Sequence, residues 1–174
     1  MIKSMFSRIH IILFALLIFS LTTPVFAEFV QPPEAKIIAQ TWLNLVSDNN
    51  NADRYIQQVL DYNDNNFTVS KSSYELTDKN LPFLYLIQFH NNGFVLISAE
   101  DNSVPILAYS SDSSCDINDY PPAFLEWVDN YAEQICQIRD EKTVIPENTQ
   151  LWQNLFRGIL PANFRQDRAV RPLI

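Results

Sequence analysis

The amino-acid sequence predicts an α+β domain in which a small antiparallel sheet packs against two amphipathic helices. Three observations predict it. "FLYLIQFH" and "FVLISAE" flank Asn92-Gly93, a pair suited to the positive φ angles of a tight hairpin turn. A third apolar run, "VPILAYS", follows the polar turn from Glu100 to Ser103. Two other segments, which begin near Pro33 and Pro121, repeat their apolar residues every three or four positions, the period of a helix.

Ahead of these elements lies an export signature. Lys3 and Arg8 precede an apolar run from Ile11 to Leu21, and "TTPVFA" then ends on the small residue Ala27. This order of charge, apolar stretch and small residue marks a secretory signal peptide over residues 1–27, cleaved after Ala27. The run is shorter than the roughly 20 residues needed to cross a bilayer, and no other segment comes close, so no stable membrane span is expected after cleavage. The expected location is secreted or periplasmic. Residues 28–174 suffice for one domain that buries about two-thirds of the surface of its unfolded chain.

Without the two basic residues of the leader, ten Lys and Arg face twenty Asp and Glu, a net charge of −10. Polyanions would be repelled, so no nucleic acid and no anionic membrane is expected as a partner. The charge is uneven. Arg157, Arg165, Arg168 and Arg171 stand against Asp167 in the last stretch, a net of +3, while residues 28–156 carry −13. The expected division is a folded domain over 28–150 and a basic C-terminal tail over 151–174.

Within the domain, Ala35, Ile38, Trp42 and Leu45 recur at helical intervals and Pro33 suits a first turn, which predicts a helix over 33–46. Asn49 to Asn80 is rich in Asn, Asp and Ser, and its short apolar runs, "NFTVS" and "SYEL", predict weak strands or a mobile connection. Pairing across a two-residue Asn92-Gly93 turn sets His90 opposite Val95. It puts Tyr85, Ile87, Phe89, Phe94 and Leu96 on one face of the hairpin and Leu84, Leu86, Val95, Ile97 and Ala99 on the other. Both faces are apolar, so the sheet should be covered at least partly on both sides. Pro105 lacks a donor, which places the third strand at an edge or a bulge. From Pro121 to about Arg139, Phe124, Val128, Tyr131, Ile135 and Ile138 form one stripe with Trp127 and Ala132 beside it, predicting a core-facing helix. Beyond residue 143, "QLWQNLF" predicts a short helix, and Pro146, Pro161 and Pro172 discourage long elements.

The chemistry-bearing residues are few. His90 is the one histidine after the leader, and neither Cys115 nor Cys136 has the glycine-bounded setting that presents a nucleophile to a base. There is no C-x-x-C or H-E-x-x-H spacing for zinc, and "DINDY" lacks the glycine and terminal glutamate of a calcium loop. Glu126, Asp129 and Glu133 on one helix read as solvated acids. No catalytic residue, metal or cofactor is expected. Nor is a disulfide: Cys136 lies about 22 Å along the helix, at 1.5 Å per residue, from its start. The six residues from Cys115 to Pro121 span at most roughly 20 Å. Both cysteines read as small buried apolar residues.

An exported chain with little equipment for catalysis is expected to work by binding, and its residues point to a kind of partner. "PFLYLIQFHNNGFVLISAEDNSVPILAYSSDSSCDINDYPPAFLEWVDNYAEQI", together with "AKIIAQTWL" near the mature start, resembles the propeptide domain of streptopain-type secreted cysteine proteases. The same domain occurs alone as the Spi-type protease inhibitor. The likeness runs from Ala35 to Ile135, and "AVRPLI" at the end resembles the segment that joins a propeptide to its protease. It implies an α+β fold, no protease activity of its own, and a streptopain-like, papain-fold cysteine protease as partner. That partner would be inhibited noncovalently or assisted in trans as by a propeptide chaperone. Carried over position by position, the region that obstructs the protease cleft is Ser113, Ser114, Cys115, Asp116, Pro121, Pro122 and Ala123. Cys115 stands where relatives often have an aromatic residue, and Ala123 where some have a polar amide. The alternatives are a non-catalytic exported interaction module and the remnant of a truncated proenzyme gene.

Overall fold

The computed structural model describes residues 28–46, 54–77, 79–113, 115–116 and 120–160. The leader expected over 1–27, Ser114, Arg165, Arg168, Arg171 and the closing "AVRPLI" lie outside the described residues.

Helix α1 (Pro32–Val46) begins where the Gln31 carbonyl accepts from the amides of Glu34 and Ala35, each at 3.0 Å. The Glu34 carboxylate accepts in return from the Gln31 N–H at 2.7 Å, half of a capping box that also sets negative charge at the positive end of the helix dipole. Ala35, Ile38, Ala39, Trp42 and Leu43 are buried along one stripe, and the large side chains among them stabilise the fold by about 1.5–3 kcal/mol each.

Five strands follow: β1 (Ile56–Asn63), β2 (Asn66–Val69), β3 (Leu84–Phe89), β4 (Phe94–Ser98) and β5 (Ile106–Ser110). They form one sheet in the order β2-β1-β3-β4-β5, every neighbour antiparallel. "NFTVS" is the source of β2, whereas "SYEL" is not a strand; Tyr74 within it exchanges two 2.9 Å hydrogen bonds with the side chain of Gln31. The stretch read as weak strands or a mobile connection also supplies β1, eight residues long and paired on both sides. Polar residues hide its periodicity. Asp61 and Tyr62 are both buried; Asp61 accepts from the Tyr74 hydroxyl, and the Tyr62 hydroxyl donates to Asp129.

The β3–β4 hairpin forms, but in another register from the one expected. Ile87 rather than His90 faces Val95, and Leu86 faces Leu96. The loop is longer than two residues because three in a row, Asn91 (φ 61°), Asn92 (φ 69°) and Gly93 (φ 96°), adopt left-handed backbone. The His90 N–H is drawn away to the Tyr55 carbonyl at 2.9 Å. An odd-numbered slip moves every side chain of the second arm to the opposite face. Val95, Ile97 and Ala99 therefore join Tyr85, Ile87 and Phe89, while Phe94 and Leu96 join Leu84 and Leu86. β5 is an edge strand with a bulge opposite Leu96 and Ile97, next to the Pro105 carbonyl, which accepts from Ser98 N–H at 3.2 Å.

Both faces of the sheet are covered. On the first, Val59, Tyr85, Ile87, Val95 and Ile97 meet α1 and the short helix α3 (Pro146–Phe156), which contributes Trp152 and Leu155. Helix α3 runs across the expected boundary between the domain (28–150) and the basic tail (151–174). On the second face, Leu60, Leu84, Leu86 and Leu96 meet Val128, Ala132 and Ile135 of α2 (Pro122–Glu141). Two prolines start α2, and Lys142 ends it in left-handed backbone (φ 51°), which lets the Thr143 N–H reach the Ile138 carbonyl at 3.1 Å. No helix among the described residues is long and apolar enough to cross a membrane.

Candidate functional site

Where the chain leaves edge strand β5, three carbonyl groups fasten it. Ser111 O accepts from Arg54 Nη1 at 2.7 Å, Ser113 O from the Gly93 N–H at 3.1 Å, and Cys115 O from the side-chain amide of Gln88. The Ser113 N–H donates to Ser110 Oγ at 3.1 Å. These four main-chain groups are thus held by the body of the domain or by the turn itself. The side chains of Ser113 and Asp116 remain exposed, as do Pro121, Pro122 and Ala123 at the start of α2. Six of the seven residues expected at the cleft-facing region are described, Ser113, Cys115 and Asp116 after β5 and Pro121, Pro122 and Ala123 at the start of α2; Ser114 lies outside the described residues.

Cys115 differs from its neighbours. It is half-buried, packs on the α2 core and lies beside the Tyr120 hydroxyl. Burial pushes its thiol up to about 11, with the Asp116 carboxylate acting in the same sense. Cys136 is also half-buried, so neither cysteine is fully buried as expected, and both are free thiols. His90 lies in the hairpin loop and stacks on Tyr55, ring centres 4.7 Å apart and 13° from parallel.

Beside the start of α2 runs a row of aromatic rings, of which the sequence pattern placed Phe124 and Tyr131 in the core stripe and Trp127 next to it. Phe67 of β2 lies 5.1 Å from Tyr120, Tyr120 5.2 Å from Phe124, Phe124 6.3 Å from Trp127, and Trp127 4.5 Å from Tyr131. All five are only partly buried, so one edge of the row meets solvent. Aromatic side chains with a packed body and an accessible edge present large contact area at low entropic cost. The signal in the sequence was the spacing of Tyr120, Phe124, Trp127 and Tyr131 by four, three and four. Phe67, more than fifty residues upstream, could not be joined to them by any local pattern.

Buried ionic contacts anchor the far end of α2. Arg139 pairs with Glu100 at 3.2 Å, donates to Pro82 O at 2.8 Å and Ala99 O at 3.0 Å, and lies over the rings of Phe29 and Phe83. Glu100 Oε1 is buried with no donor among the described residues. Burial pushes the Glu100 carboxyl up to about 7 in spite of Arg139.

The sequence model of one family, described as Spi protease inhibitor, matches residues 27–135. The chain belongs to the Spi protease inhibitor family. The match spans α1, the whole sheet and α2 as far as Ile135, so residues 113–116 and the whole aromatic row lie inside the matched part. Membership in the Spi family implies a protease as partner. No curated protein and no solved structure matches the chain.

Proposed function

We propose that the chain is exported and acts, without catalysis of its own, as a reversible noncovalent inhibitor of a streptopain-like, papain-fold cysteine protease. The turn through Ser113, Ser114, Cys115 and Asp116 and the helix start at Pro121, Pro122 and Ala123 face the protease cleft, with the aromatic row beside them as the contact that excludes water. One observation carries this reading: the carbonyls of Ser111, Ser113 and Cys115 are each held by the hairpin or by Arg54, which fastens the main chain and leaves the side chains of Ser113 and Asp116 outward. A segment already ordered before docking loses less conformational entropy on binding. A stable inhibitor interface buries about 1,600 Å² in total, more than the turn alone offers, and the adjoining helix face supplies the rest. An in-trans propeptide role, in which the same surface guides folding of the protease, uses the same contacts.

The test is a titration. Purified protein added to a streptopain-like protease should abolish hydrolysis of a peptide substrate at near-stoichiometric amounts, and dilution should restore it. Full activity in the presence of micromolar protein would remove this reading.

A further inference from the structure

The described fold is tied down from Glu28 onward. The Glu28 N–H donates to Asp101 Oδ1 at 2.8 Å, and the Glu28 carbonyl accepts from the Asp101 N–H at 3.1 Å. Phe29 then bridges Glu100 in antiparallel fashion, and the Val30 N–H reaches Ala99 O at 3.1 Å. Phe29 and Val30 are buried in the first core, while Glu28 itself is exposed. Asp101 Oδ1 also accepts from Asn102 Nδ2 at 2.7 Å, which fixes the carboxylate against the Glu28 nitrogen.

Charge around this point does not balance. Glu100 is 2 % exposed and takes Arg139 as its counter-ion. Asp101 beside it is half-buried and has no basic side chain within ion-pairing distance among the described residues. Glu34, in the first turn of α1, adds further negative potential at Asp101. Arg139 is thus paired with Glu100, while Asp101 takes its hydrogen bonds from the Glu28 N–H and Asn102. A backbone amide offers Asp101 a partial positive charge; an ammonium on the same nitrogen offers a full one.

We propose that Asp101 is the receptor for a new amino terminus: hydrolysis of the Ala27–Glu28 peptide bond leaves an α-ammonium on Glu28 that pairs with the Asp101 carboxylate and supplies the missing positive charge of the Glu100, Asp101 and Arg139 cluster. The co-reactant is water and the catalyst a protease of the signal peptidase class. The C–N bond breaks, Ala27 leaves with a carboxylate, and the Glu28 nitrogen takes up a proton. Asp101 positions the terminus and takes no part in the hydrolysis. The inference is independent of protease inhibition, since Asp101 adjoins Glu100, which pairs with Arg139 near the C-terminal end of α2, whereas the 113–123 turn leads into its N-terminal end.

The experiment begins with the full chain expressed in a host that exports it, followed by mass spectrometry of the product, whose first residue should be Glu28. The α-amine of that product is then titrated by its rate of acylation as pH is raised. A free α-amine titrates at about 7.7–8.0, and pairing should keep this one charged down to an about tenfold lower proton concentration. In Asp101→Asn, which retains an oxygen acceptor, the titration should return to the ordinary range. Acetylating the amine of the wild-type product should lower its melting temperature by about 2–4 °C, a readout that does not depend on the variant folding. A first residue other than Glu28, an ordinary titration in the wild-type product, or a melting temperature unmoved by acetylation would each overturn the proposal.

Discussion

At Glu100 the cost of burying a charge outweighs a guanidinium 3.2 Å away, and the carboxyl is pushed up from 4.5 to about 7. The folded chain therefore keeps a proton between pH 4.5 and about 7 that the unfolded chain has already released. Stability should fall as pH rises through that window and level off above it. Urea unfolding near both ends of the window should show this slope in wild type and a flatter one in Glu100→Gln; identical slopes would refute it. Removing the cation is more damaging, because it strands the carboxylate. Arg139→Ala should lose about 3–5 kcal/mol at neutral pH in the same assay. Cys115 makes the matching point for a thiol. Its rise from 9.0 to about 11 leaves roughly 100-fold less thiolate near pH 8, so iodoacetamide should label it about 100-fold more slowly in the folded protein than in urea. Equal rates, read from the mass of the Cys115 peptide, would show an open thiol.

The hairpin loop is the element on which the proposed surface rests. A Cβ on Gly93 would stand 3.0 Å from Ser110 O and 3.2 Å from Ser111 O, both main-chain atoms that cannot swing aside, at a φ of +96°. Gly93→Ala should cost about 1–3 kcal/mol from backbone strain alone and more from the contact. Gly158 has φ +72° with nothing within 4 Å, so Gly158→Ala should cost only about 1–2 kcal/mol. Denaturant midpoints of the two variants check the order. The same loop shows what was legible in the sequence. Asn92-Gly93 announced a hairpin, and two apolar faces announced a sheet covered on both sides. Register was not legible, because it depends on how many residues turn left-handed. Asn91 adopts that backbone as readily as Asn92, and the sequence does not say where the run begins. β1 was missed for a different reason. Its Asp61 and Tyr62 are buried only because Tyr74 and Asp129 reach them, and such rescue by distant partners leaves no mark on local periodicity. The turn into α2 was placed by likeness to a family, whereas Phe67 joined the aromatic row only through the folding of β2.

For the molecule as a whole, the two cores lie on opposite faces of one sheet, which allows stability and binding to be perturbed separately. Trp152 of α3 is 2 % exposed, donates its indole N–H to Ser103 O at 3.0 Å and fills the first core with α1, although α3 lies beyond the residues that match the Spi family. Trp152→Ala should cost about 3–5 kcal/mol of folding stability. Its effect is confined to the face away from the 113–123 turn, so inhibition measured well below the melting temperature should be unchanged. Trp127 is the counterpart on the other face, partly exposed between Phe124 and Tyr131. As a contact residue of the hot-spot kind, Trp127→Ala should lose at least about 2 kcal/mol of binding, roughly 30-fold in the inhibition constant. Part of its surface is already open to solvent, so its melting temperature should fall less than that of Trp152→Ala. The pair is informative because the two explanations predict opposite rankings. If inhibition depended only on how much of the protein is folded, Trp152→Ala would be the weaker inhibitor. If the aromatic row is the binding edge, Trp127→Ala is the weaker inhibitor while remaining the more stable protein.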